Sequence, residues 1–141
     1  MVSSSRFKGK KLTKKQLSKL TLIFREEGSA TRNAMVTYLD EQKITGYKSM
    51  ELVSNEAVKQ AVNAGLGFSI MPLIGLKNEL ANESMHIFQM KHLPIITRWH
   101  LIYPKGKQLL PASNELIKFI ESNKSQVLSE YFAWTKESFG E

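Results

Sequence analysis

The chain has 141 residues, which is about one domain by length, and a chain of that size buries roughly two thirds of its unfolded surface. Hydrophobic residues make up 42% and charged residues 23%, an ordinary globular balance. The absence of cysteine excludes a disulfide framework, a thiolate zinc site and a cysteine nucleophile. No apolar run reaches the ~18 residues of a membrane span. The N-terminus, MVSSSRFKGKKLTKKQLSKL, is basic but lacks the apolar region of roughly 7–15 residues that an export signal carries, so a cytoplasmic location is expected.

The net charge of +7 is not spread evenly. Arg6, Lys8, Lys10, Lys11, Lys14, Lys15 and Lys19 fall in the first 19 residues, which contain no acidic residue; the rest of the chain holds 13 basic against 13 acidic residues. A basic arm of this kind either meets nucleic-acid phosphates without sequence preference or serves as a solvated linker. Phe7 is the only aromatic residue among the charges, whereas single-strand stacking needs several. Residues 1–15 are therefore expected to be a basic, solvated segment.

In chain order, Leu12, Leu17 and Leu20 outline a short helix over 12–20 with Thr13 as its cap. LTLIF (20–24) reads as a buried strand. REEGSATR (25–32) is the turn after it. Ser29 can cap a helix whose apolar stripe is Ala34, Met35, Tyr38 and Leu39. Gly46 ends that region, and SMELV (49–53) is a second strand. Ser54 caps the next helix, with Ala57, Val58, Ala61 and Val62 inward and Glu56 in the favourable first turn. Gly65 sits where a left-handed C-terminal cap wants glycine. GFSIM (67–71) is a third strand, with Gly67 permitting a close helix–strand approach, and Pro72 opens another helix over 73–80. Strands follow at 85–90 and at RWHLIY (98–103). Pro111 opens a helix carrying Leu116, Ile117 and Ile120, and Val127, Leu128, Tyr131, Phe132 and Phe139 mark a last helical stripe. Regular alternation up to residue 90 predicts an α/β fold with a parallel sheet and helices on both faces.

The glycines at 65 and 67 are not a dinucleotide loop. That loop follows a strand and opens a helix with a third glycine; here Ile70 holds the third position and the glycines lead from a helix into a strand. A Walker loop fails as well, because Leu101 stands where the first glycine before Gly106 and Lys107 would be. His86, His92 and His100 lack metal-ligand spacing and read as surface or hydrogen-bonded residues. Glu26 and Glu27 are adjacent at a strand end and face apart, which argues against paired-carboxylate hydrolysis. No nucleophile elbow is present. The remaining signal is noncovalent and lies at two strand-to-helix turns, where α/β sheets bind ligands. Ser29, Thr31, Ser54 and Asn55 put hydroxyls, an amide and backbone N–H groups at two helix N-termini. This arrangement either attracts a carboxylate or phosphate or does no more than cap the helices.

LIFREEGSATRNAM, ELVSNEAVKQAVNAGLGFSIMP and RWHLIYPKGKQLLPA, in that order, resemble the effector-binding domain of LysR-type transcriptional regulators. The likeness runs over about residues 16–123 and is nearest to the branch with regulators of Rubisco and sulfur-assimilation operons. It implies a type 2 periplasmic-binding-protein fold of two α/β lobes joined by crossover strands, with the effector between them. Residues 16–97 would form the second lobe, and 98–141 would return to an incomplete first lobe and the C-terminal helices. Arg25, Glu26, Ser29 and Thr31 match the second-lobe turn that lines the cleft, and Ser54 and Asn55 match the next such turn more loosely. The implied function is noncatalytic sensing of a small anionic metabolite by a homodimer. No cofactor and no metal are expected, and DNA would be touched only through a helix-turn-helix that this chain lacks. The alternative is a solute-binding protein of a transport system with the same fold. An enzyme on this architecture would need a positioned acid–base pair or nucleophile, and the chain offers neither.

Overall fold

The computed structural model describes residues 1–8, 12–106 and 108–137. They form two compact units, Met1–Ile96 and Thr97–Glu141.

In the first unit, β2 (Thr21–Arg25) and β3 (Lys48–Leu52) pair in parallel, with Thr21 opposite Lys48 and Arg25 opposite Leu52. Phe68 bridges Leu22 in parallel, so it continues the sheet on the other side of β2. The next neighbour is the very start of the chain. β1 (Val2–Ser4) bridges Ser69 through Val2 and pairs antiparallel with β4 (Met85–Ile87). The order across the sheet is β3, β2, Phe68–Ser69, β1 and β4, with β1 running against the rest.

This corrects the expected N-terminal arm. Val2, Ser3 and Ser4 are buried in the sheet, and the described charges that follow lie outside it. Three small residues fit an interior strand, and the Ser3 hydroxyl is satisfied by donating to the Ser4 carbonyl at 3.1 Å. Met1 continues the ladder: its carbonyl accepts from Phe88 N–H at 2.7 Å. Burial pushes the Met1 amine down to about 5. Further along, Lys8 pairs with Glu83 and Lys14 donates to the Gln42 carbonyl. Lys10 and Lys11 lie outside the described residues.

Helices cover the sheet. α1 (Lys14–Leu17) is shorter than expected and is capped by Thr13, which accepts from Gln16 N–H while the Gln16 side chain accepts from Thr13 N–H. α2 (Ala30–Glu41) buries Met35, Tyr38 and Leu39 against Leu22, Phe24 and Phe68. α3 (Asn55–Asn63) buries Val58, Ala61 and Val62 with Ile23, Val2 and Met85. Ile23 and Leu22 thus point to opposite layers, as the two-residue period of a strand requires. After α3, Gly65 takes φ +81°, the left-handed cap. Gly67 is needed for space: a Cβ there would lie 2.5 Å from the Thr21 carbonyl oxygen, between paired strands. Pro72 precedes a 3-10 turn over Leu73–Leu76 that leads into α4 (Lys77–Ala81).

The second unit departs further from expectation. RWHLIY forms no ladder among the described residues, since extended backbone becomes a strand only beside a partner. α5 (Pro111–Tyr131) runs as one helix through both expected C-terminal segments, with Pro111 in its first turn. It buries none of its residues, and Leu116, Phe119, Ile120, Leu128 and Tyr131 are exposed. α6 (Trp134–Glu137) follows. Phe139, the end of the expected stripe, lies outside the described residues.

Candidate functional site

The level register of β2 and β3 brings their carboxyl ends side by side, so the turns into α2 and α3 start from adjacent points. Arg25 is the last residue of β2, and its side chain is mostly buried. Its Nε and Nη2 donate to the two oxygens of Glu26, each at 2.7 Å, and its Nη1 donates to Asn55 Oδ1 at the first position of α3. The guanidinium therefore ties one turn to the other. The Arg25 fork and Glu26's own backbone N–H hold the Glu26 carboxyl at about 2, well below its ordinary 4.5. The same bond to Glu26 raises Arg25.

Four of the expected residues thus sit together: Arg25, Glu26 and Asn55 are bonded directly, and Ser54 is adjacent in sequence. The Ser54 hydroxyl is already engaged, accepting from Ala57 N–H at 3.0 Å as the cap of α3. Ser29 is the N-cap residue of α2, but its side chain makes no capping bond; its backbone N–H donates to the Glu26 carbonyl at 3.2 Å. Thr31 follows in the first turn, and among the described residues neither hydroxyl has a hydrogen-bond partner. The expectation that Ser29 caps α2 is corrected here. Its backbone N–H turns back to Glu26, and its side chain leaves the first N–H groups of α2 uncapped.

Arg32 escaped the sequence reading. Its Nη1 donates to the Arg25 carbonyl at 2.8 Å and pairs with Glu51, and its guanidinium lies over the Phe24 ring, 5.7 Å from the centroid. A cation in the first turn of a helix opposes the helix dipole, and that mismatch is the sequence signal that a specific partner holds it. Among the described residues, no group of three or more His, Asp or Glu side chains forms a metal site. No helix there is long and apolar enough to cross a membrane.

Residues 2–124 match the LysR substrate binding domain family. The chain belongs to that family. It is 36% identical over 112 residues to a RuBisCO operon transcriptional regulator of Allochromatium vinosum, covering 79% of this chain and 37% of the relative. It is 35% identical over 120 residues to the HTH-type transcriptional activator CmpR of Synechocystis sp., covering 85% and 40%. Among solved structures it resembles the CcmR regulatory domain of Synechocystis PCC6803 in complex with 2-PG, with TM-score 0.75, 28% identity, and coverage of 86% of this chain and 60% of that one. The regulatory domain of HypT from Salmonella typhimurium shares the fold, at TM-score 0.68 and 11% identity over 89% of this chain and 60% of that one. The LysR chain described here thus spans about two fifths of the curated relatives it matches. The α/β fold and the Rubisco-regulator branch expected from the three motifs agree with these matches, and the curated relatives named are transcriptional regulators.

Proposed function

We propose that this chain is the effector-sensing part of a LysR-type transcriptional regulator, binding a small anionic metabolite at the β2–α2 and β3–α3 turns. The observation that carries the reading is the Arg25 guanidinium, fixed at the carboxyl ends of two level parallel strands by Glu26 and by Asn55 at the start of α3, with the uncapped start of α2 following the same strand. A guanidinium fork fits carboxylate and phosphate oxygens with two bonds, and the free N–H groups of a helix start add to it. Ser29 and Thr31 supply hydroxyls, Asn55 steadies Arg25, and Ser54 keeps α3 in place. The mechanism is noncatalytic: the ligand favours one arrangement of the domain over another, and that population shift is passed to DNA-binding parts outside this chain. Met1–Ile96 supplies the lobe described above, and Thr97–Glu141 belongs to the other lobe. The protein works in the cytoplasm, without a cofactor, and reaches DNA through a helix-turn-helix supplied elsewhere in the polypeptide.

CcmR makes 2-PG the first ligand to test. Titration calorimetry of the 141-residue chain with 2-PG is expected to give saturable binding that Arg25→Gln weakens at least tenfold, the loss of a charge-assisted pair. Equal affinity in the variant would reject the site. The exposed apolar residues of α5 support a homodimer through the second unit. Sedimentation equilibrium at micromolar concentration should return twice the 16.1 kDa chain mass, and a monomer there would remove the dimer from the account.

A further inference from the structure

Arg25 already holds an anion, and that anion belongs to the protein. Glu26 grips the Nε–Nη2 edge with both oxygens, as a bound carboxylate or phosphate would. Asn55 takes a third N–H. A guanidinium has five N–H donors, so two are left without a protein acceptor among the described residues.

The two partners are anchored very differently. Arg25 lies in the β2 ladder, opposite Leu52 of β3, and its carbonyl is held by Arg32. Its side chain is 16% exposed, and Asn55 fixes the far end. Glu26 lies past the strand, with its side chain 35% exposed. Glu27 beside it is exposed, and Gly28 takes φ +86° with open space where a Cβ would be. Apart from its own backbone N–H, only Arg25 holds the Glu26 carboxylate among the described residues. A new anion arriving at this edge displaces the loosely held partner, not the firmly held one.

We propose that Glu26 is a resident competitor for the ligand: it occupies the Arg25 fork in the empty protein, and a ligand binds by replacing it. The proposal rests on the reading of these turns as an anion site. Replacement exchanges one pair of charge-assisted bonds for another, so a ligand gains from the fork only what exceeds the internal pair. An anion with one weak contact point stays unbound. One that also reaches the two unused N–H groups or the α2 turn succeeds. Glu26 thereby sets the affinity threshold of the site, and the displaced carboxylate becomes a free charge on the 26–28 turn when the ligand is bound.

Inorganic phosphate is the probe, titrated calorimetrically into the wild-type chain, Glu26→Gln, Glu26→Ala, Arg25→Gln and the double variant Arg25→Gln/Glu26→Gln, with circular dichroism to confirm folding of each. The expected result is phosphate affinity about tenfold higher in both Glu26 variants, as removal of a charge-assisted competitor predicts, with the gain absent in the double variant. Unchanged or weaker binding in both Glu26 variants, with binding at least tenfold weaker in Arg25→Gln, overturns the competitor and leaves the anion site standing. Binding as tight in Arg25→Gln as in the wild-type chain, or no phosphate binding in any variant, overturns both.

Discussion

The N-termini of α2 and α3 start from adjacent strand ends, and in the sequence both read as a serine opening a helix. In the structure they differ. The α3 end is closed: Ser54 accepts from Ala57 N–H, and Glu56 stands in the first turn, where the dipole favours an acid, bonded to Gln60 and Lys59. The α2 end is open: Ser29 makes no side-chain cap, the first turn has no acid, and its one charge is Arg32, turned to the Arg25 carbonyl and Glu51. A helix start that meets its own hydrogen-bonding needs is a structural device. One that leaves them unmet retains capacity for a ligand. Arg25 reaches from the open end to the closed one through Asn55.

The largest way to break this contrast is to remove that bridge. Arg25→Gln should return the Glu26 carboxyl from about 2 towards its ordinary 4.5, read by NMR titration of side-chain carboxyl carbons. The sign follows from the depressed value. The pair's contribution to stability is complete above the ordinary pKa and is lost as the pH falls through the folded one, so acid sensitivity between pH 4.5 and 2 should diminish in the variant. A Glu26 carboxyl that stays near 2 without Arg25 would mean that the backbone alone holds it. Next in size, Ser54→Ala should lower unfolding stability by about 1 kcal/mol, the worth of a formed cap, measured by urea denaturation. The smallest effect sharpens the contrast most. Ser29→Ala should stay within about 0.5 kcal/mol of wild type, because no cap bond is lost, while weakening anion binding. Equal stability losses at the two serines would mean that the two ends do not differ.

Much of the first unit was legible because its signals are local. The alternating strands, the Thr13 and Ser54 caps and the left-handed Gly65 each follow from a few neighbouring residues. Gly67 was readable as a close approach, but not that a strand carbonyl would be what approached. β1 was missed because seven charges nearby outweigh three small residues, and its partners, Ser69 and Met85–Ile87, lie more than 65 positions away. RWHLIY has the composition of a strand, yet composition cannot supply the neighbour that a strand requires. At the site, residue types were legible and pairings were not. Arg25 and Asn55 were identified singly, but their bond depends on the register of β2 against β3. The Arg25–Glu26 pair was not legible either, because the alternation of neighbouring side chains holds along a strand and ends where the strand does.

The most direct measurement is an amide NMR titration of the 141-residue chain with 2-PG. The account predicts the largest shifts at the N–H groups of Ala30, Thr31 and Arg32 and at Glu26 and Asn55, with the α3 cap at Ala57 nearly unmoved. Shifts confined to other parts of the chain, or equal shifts at the two helix starts, would contradict it.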